Sequence, residues 1–319
     1  MLKKIVAMVM ALAMVLALAA CGAPAAKMTM GTGGTSGTYY AFGGVLGQYI
    51  KNKAGIDVTV VSTDGSKAYI QGIAAGDYQL GTVQSDVMAY AWEGTRSFEK
   101  DGKVDSFRVV AGLYAEAVQL IPMDPEIKSV ADLKGKSVSI GAPASGVYFN
   151  AVDVLTAAGL TLDDIKPQYQ SFADSTDSLK DGKIDAAFIV AGAPTPAIVE
   201  LCATNDAYLV PIDGDIADKL MQDCPFYTSY TIPAGTYDDQ KEDVKTVTVK
   251  ATLIVSASAS EDQVYNLTKA IFDNVEAIAK ENGKGAELSV ENATSGMTAP
   301  FHAGAAKYFA EKNVTVTTD

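Results

Sequence analysis

Histidine, cysteine and arginine are scarce in this 319-residue chain, and each scarcity excludes a chemistry. The single histidine, His302, has no close Cys or His spacing around it, so a metal site lacks ligands. With no G-x-S-x-G and only that one histidine near the C-terminus, no nucleophile triad is credible. Basic runs are missing too, and a net charge of −13 repels phosphate backbones, which excludes a nucleic-acid binder. Arg96 and Arg108 are the only arginines. No low-complexity tract, Gly/Ser-rich linker or repeat of roughly 20–50 residues divides the chain, so a beads-on-a-string arrangement is not expected. The acidic pairs Asp163-Asp164 and Asp238-Asp239 sit in polar stretches and read as solvated surface charge.

What is present begins with a secretory segment. Lys3 and Lys4 precede an apolar run from Ile5 to Ala20 that ends Leu18-Ala19-Ala20-Cys21. About 16 apolar residues fall short of the roughly 20 a spanning helix needs, so residues 1–20 read as a signal peptide. The small-small-Cys ending resembles the bacterial lipobox, making Cys21 the expected lipidated first residue of an extracytoplasmic lipoprotein, with 21–30 leading into the first strand. Beyond Cys21 no apolar run is long enough to span a bilayer, so the lipid is the expected tether. The roughly 300 residues that remain suit two domains of ordinary size. Cys202 and Cys224 are the other two cysteines. In an oxidising compartment they form one disulfide or stay as two buried thiols, and both alternatives are open at this point.

Along the chain, short β-branched runs alternate with helix-like segments. Strands are expected at 58–62, 80–84, 107–112, 137–141, 186–191 and 208–212. Helices are expected at 39–53, 66–75, 87–93, 146–158, 175–181, 196–202, 262–280 and 302–311. The alternation implies an α/β fold with largely parallel sheets and ligands bound outside the carboxyl ends of the strands. Two long extended stretches, 109–123 and 226–255, read as two hinge crossings between two α/β lobes. Lobe I is then 31–114 with 232–319, and lobe II is 115–231.

Four loops sit where strands run into helices: 31–38, 83–86, 141–148 and 191–196. The last three end in helix-start chemistry, with Ser85 or Asp86, Ser145 with Gly146, and Thr195 before Pro196. Two loops fall in each lobe, so a cleft between the lobes is lined by helix N-termini and small polar groups, a ready site for a small anion. The first loop, Gly-Thr-Gly-Gly-Thr-Ser-Gly-Thr, holds four glycines where a tight turn needs one or two, and that surplus points to close backbone approach to a ligand. A dinucleotide fingerprint is broken, because Ser36 stands at its third glycine, and no Lys-Ser or Lys-Thr closes a P-loop. Neither arginine lies in these loops, so backbone N–H groups and hydroxyls must carry a bound carboxylate.

The ordered set Gly31–Tyr40, Val83-Gln84-Ser85-Asp86, Ser129–Lys136, Gly141–Gly146, Leu179–Gly182 and Pro225 through Tyr237 resembles the TAXI-type solute receptors of TRAP transporters over nearly all of the chain beyond the signal segment. The resemblance implies a type II periplasmic-binding-protein fold, with a ligand cleft between the lobes. It also implies a monomer without cofactor or catalysis. Such a receptor closes on a small anionic or zwitterionic solute, glutamate-like, and delivers it to an ion-gradient-driven membrane permease. The ligand residues implied are Gly33, Gly34, Thr35, Tyr39, Tyr40, Thr63, Gln84, Ser85, Tyr114, Ala144, Ser145, Gly146, Val147, Ala191 and Gly192. Tyr39 and Tyr40 are about 100° apart on a helix, so one of them is expected to face the cleft. The chain departs from the family pattern at Ala144 and Val147, where Gly and Thr are usual, and that departure leaves the ligand open. A receptor for an ATP-driven importer, a ligand sensor and an extracytoplasmic enzyme are the alternatives.

Overall fold

The computed structural model describes residues 26–319. The expected signal peptide and the lipidated Cys21 lie outside the described residues. The chain opens with three parallel strands, each followed by a helix: β1 (Lys27–Thr32), α1 (Thr38–Ala54), β2 (Asp57–Ser62), α2 (Ser66–Ala75), β3 (Leu80–Gln84) and α3 (Ser85–Glu93). A long strand, β4 (Phe107–Pro122), follows. The same unit then recurs as β5 (Ser137–Ser139), α4 (Gly146–Ala157), β6 (Lys166–Gln168), α5 (Phe172–Lys180), β7 (Ala186–Ala191) and α6 (Pro196–Cys202). The helix α7 (Gly214–Asp223) leads to β8 (Thr228–Ile232) and the second long strand β9 (Val244–Ser256). The chain closes with α8 (Glu261–Phe272), α9 (Val275–Glu281), α10 (Val290–Thr294) and α11 (Ala303–Glu311).

The strands form a continuous sheet in the order β2-β1-β3-β9-β4-β7-β5-β6, with β8 beside β9. The two long strands make it continuous, because β4 and β9 run antiparallel to each other and serve both halves. One apolar core collects residues from 28–114 and 251–309, and two adjoining clusters collect residues from 117–249. Both long strands therefore pass between lobes at 112–117 and 248–252, where the β4–β9 register shifts between Gly112 and Ala115. The return at 249–251 comes later than residue 232, because β8 and the first half of β9 pair as a hairpin and bury Ile232, Val247 and Val249 with the second lobe.

Several elements match the expected bounds, and the differences have local causes. The expected strand at 208–212 makes only one bridge, Val210 to Leu120, because Pro211 has no N–H to give a ladder. The helix expected over 262–280 is two helices. Asn274 turns its side-chain amide back to the Ala270 carbonyl at 2.9 Å, competing with the backbone ladder where they meet. The helix expected from 175 starts three residues earlier, at Phe172, because the Ser171 hydroxyl caps it by accepting from Asp174 N–H. Cys202 and Cys224 are both free: Cys202 Sγ faces the Ala207 carbonyl, and Cys224 Sγ lies near Arg96 and Asp153. Among the described residues no helix is long and apolar enough to cross a membrane.

A candidate ligand cleft between the lobes

Each lobe presents the carboxyl ends of its parallel strands, and hence the starts of its helices, to the other lobe. Between them lies a cavity of about 330 Å³ lined from both sides. The first lobe contributes Gly33 to Tyr39, Ser62 to Ser66, and Gln84. The second contributes Ala142, Ser145 to Val147, Gln170 to Ala173, Val190 and Ala191, while Glu116 comes from the crossing itself.

The glycine-rich loop divides its work. Gly31 faces the protein interior, where an added Cβ would stand 2.0 Å from Tyr69 Cδ2, and Gly81 on the paired strand meets the same ring. That glycine makes room for a buried tyrosine, so the surplus assigned to ligand approach belongs partly to core packing. Gly34 has open space where a Cβ would go, and the backbone turns there through Gly37 N–H to Gly34 O at 3.0 Å. Helix α1 then begins without a side-chain cap, leaving its first-turn N–H groups for other partners. Ser145 caps α4 by accepting from Tyr148 N–H, and the Gly146 and Val147 N–H groups begin that helix at the cavity wall.

The lobes also touch directly. Ala144 O accepts from the N–H groups of Lys67 and Ala68 at 3.2 and 3.4 Å, so a carbonyl of one lobe caps α2 of the other. Ser36 O accepts from Ala197 N–H at 3.1 Å, and Thr38 Oγ1 donates to Gly192 O at 2.7 Å. Buried Asn150 joins Gln84 and Asp86 across the gap and also donates to Tyr227 at 2.7 Å. Arg96 forms an ion pair with Asp153, which also accepts from the Tyr227 hydroxyl. Gly146 lies so close to Gln84 that a Cβ there would come within 1.4 Å of Gln84 Oε1. These contacts describe a closed cleft.

Of the residues the sequence pointed to, Gly33, Gly34, Thr35, Tyr39, Thr63, Gln84, Ser145, Gly146, Val147 and Ala191 come together on the cavity wall. The other five do not line it. Tyr40 is half-buried on α1, one position past the cavity. Ser85 is turned to the sheet, where its hydroxyl accepts from Lys250 N–H at 3.1 Å. Tyr114 is packed in the first core, edge-on to Phe42. Ala144 and Gly192 offer carbonyls to the opposite lobe instead of facing the ligand space.

The residues missed are Glu116 and the start of α5. Glu116 is the lone charged residue in the run 109–123 and is 1% exposed; a single acid inside an apolar strand was the available signal. Burial pushes its carboxyl up to about 8, against the moderating pull of nearby Lys284. Burial likewise pushes Asp86 up to about 6, opposed by its hydrogen bond from Asn150. No lysine or arginine lines the cavity, and its acids are Glu116 and the exposed Asp64. Tyr39 Oη, Glu116 Oε1 and Gln170 Oε1 are buried without hydrogen-bond partners, and all three residues line the cavity. Unpartnered buried polar atoms are uncommon, and three of the nine found among the described residues belong to cavity-lining residues. Among the described residues no cluster of His, Cys, Asp or Glu is arranged to hold a metal.

A family model described as the NMT1-like family matches residues 30–312. Among solved structures, the alkanesulfonate-binding protein SsuA from Xanthomonas axonopodis pv. citri superposes with a TM-score of 0.52 at 15% identity, covering 91% of this chain and 92% of that one. A putative L-cystine ABC transporter from Listeria monocytogenes gives 0.51 at 16% identity, covering 83% and 98%. A structure described as a periplasmic transporter gives 0.54 at 14% identity, covering 83% and 88%. The likeness is one of fold: two α/β lobes that share a pair of crossing strands, as in periplasmic binding proteins.

Proposed function

We propose that this chain, which belongs to the NMT1-like family, is an extracytoplasmic receptor that captures a small polar solute between its lobes and passes it to a membrane transporter. The observation that carries this reading is the cavity itself, walled by helix starts of both lobes and closed over by hydrogen bonds between them. Such a cleft binds by lobe closure. A ligand stabilises the closed arrangement through contacts it makes only there, and β4 with β9 supplies the hinge. With no basic side chain on the wall, helix-start N–H groups and hydroxyls hold the solute's carboxylate.

The finer reading is a TRAP-type, ion-gradient-driven permease as the receiving partner, a glutamate-like solute and a lipid anchor at Cys21. It rests on the ordered motifs from Gly31 to Tyr237 and on the small-small-Cys ending. An ATP-driven importer is the second reading of the partner, supported by solved neighbours described as ABC transporter components. A thermal-shift screen of amino acids and mono- and dicarboxylates on protein stripped of carried-over solute tests the receptor role. A true ligand raises the melting temperature with concentration, since it binds the native state and not the unfolded one. Reconstitution with each transporter type separates the two partner readings.

A further inference from the structure

Glu116 lies where the two long strands cross, with its carboxylate buried in the cleft wall. Behind it Lys284 Nζ is bound to Glu287 Oε1 at 2.6 Å, and Glu287 Oε2 accepts from Ala115 N–H at 2.8 Å. The buried ammonium is therefore paired with Glu287, and it acts on Glu116 only through its field. Lys250, on the neighbouring strand, is bound to the Asn292 and Ser295 carbonyls, and no lysine or arginine lines the wall. Glu116 Oε1 and the Tyr39 hydroxyl that faces it make no hydrogen bond of proper geometry. The cluster is one positive charge short.

We propose that Glu116 is the specificity-determining residue of this cleft and supplies the counter-ion for the ammonium group of a small zwitterion, an α-amino acid or close analogue. The proposal rests on the receptor reading above and narrows its solute class. A buried carboxylate with one oxygen unpartnered is costly, and a ligand ammonium removes that cost while the ligand's carboxylate takes the helix starts. A purely anionic solute brings no counter-charge to Glu116, which then keeps its proton, so such a solute gains nothing from this contact.

A proton takes the ammonium's place in the free protein, because burial holds Glu116 protonated up to about pH 8. The groups facing it are Tyr39 from α1, Tyr114 beside it on β4, the Gly192 N–H from the end of β7, and Lys284 with Glu287 from the turn 283–287. Burial drives both tyrosines well above their ordinary range, so they stay neutral. Asp86, pushed up to about 6, acts on Tyr39 but is bound in the Asn150 network. An ammonium ligand therefore displaces the Glu116 proton.

The test is calorimetry on the purified chain with the twenty L-amino acids and the matching deaminated acids, such as glutarate for glutamate and propionate for alanine. The expected result is an amino acid that binds at least about 30-fold more tightly than its deaminated partner. At pH 7, titrations in phosphate and in Tris should show release of close to one proton, and affinity should rise about tenfold per pH unit between 6 and 7. Glu116→Gln should abolish the proton release and the preference for the amine. Equal binding of amino acid and deaminated acid, or binding without proton release, overturns the inference while the receptor reading stands; both measurements use the native protein, so neither depends on the variant folding. No binding by any member of either set overturns both.

Discussion

Asn150 of the second lobe donates its side-chain amide to Asp86 of the first at 2.9 Å while its own carbonyl oxygen accepts from Gln84 at 2.5 Å. It is fully buried. The closed cleft is thus fastened by a polar bolt between helix α4 and the start of α3, beside the hinge strand, since Gln84 pairs with Ala251 of β9. Polar fastening suits a cleft that must reopen, since each freed group finds water in the open state at little cost.

Asn150→Leu should therefore weaken closure more than folding. It strands Gln84 and Asp86 in the closed state, while the Tyr227 hydroxyl keeps its bond to Asp153, a cost of about 2–4 kcal/mol. The expected outcome is a loss of ligand affinity of roughly 30-fold or more, by calorimetry with a ligand found in the screen. A larger radius of gyration in solution scattering with ligand present would accompany it.

Two glycine substitutions should fail in opposite ways. Gly31→Ala drives a methyl into the Tyr69 ring inside the first core and should lower unfolding stability by about 2–3 kcal/mol in denaturant titration. Gly146→Ala places its methyl against Gln84 only when the lobes meet. Stability of the ligand-free variant should stay within about 0.5 kcal/mol of the parent while ligand binding is lost. If Gly146→Ala bound normally, the closed packing described above would be wrong.

Glu116 should make the ligand-free protein less stable as pH rises. Its folded-state pKa, about 8, lies above the usual carboxyl value, so the native state prefers the protonated acid. That stabilisation is complete below the unfolded-state pKa near 4.3 and is lost as pH climbs to about 8. Stability of the parent minus that of Glu116→Gln should fall by a few kcal/mol, on the order of 3–5, across this window. Urea titrations at pH 5 and pH 8.5 measure it.

Arg96→Ala should speed ligand release. The guanidinium bridges lobes to Asp153, whose side chain is 7% exposed while that of Arg96 is 38% exposed. Solvent screening reduces the pair's worth to about 1–2 kcal/mol, equivalent to a roughly 5- to 30-fold faster dissociation in stopped-flow experiments. The association rate should change less.

Elements whose signals are local could be read from the sequence. The strands 80–84 and 186–191 and the helices 66–75 and 196–202 appear with the expected bounds, because periodicity, a glycine in the left-handed region or a proline at the first helical turn acts within a few residues. Helix α5 starts three residues before the expected 175, because Ser171 caps it and the Ser-Thr-Asp run at 175–177 lies inside the helix. The resemblance implies Ser85 and Tyr114 as ligand groups, yet a strand and a core claim them.

The sequence by itself determined the α/β alternation and the absence of arginine from the loops that join its strands to its helices. Composition and short-range pattern carry those facts directly. Only the tertiary structure decided that Gly31 makes room for a tyrosine, that Gly146 packs against Gln84, that Asn150 bolts the lobes, and that Glu116 stands in the cavity wall. Each depends on residues far apart in the chain being packed together, and no pattern within a strand or helix records such a meeting.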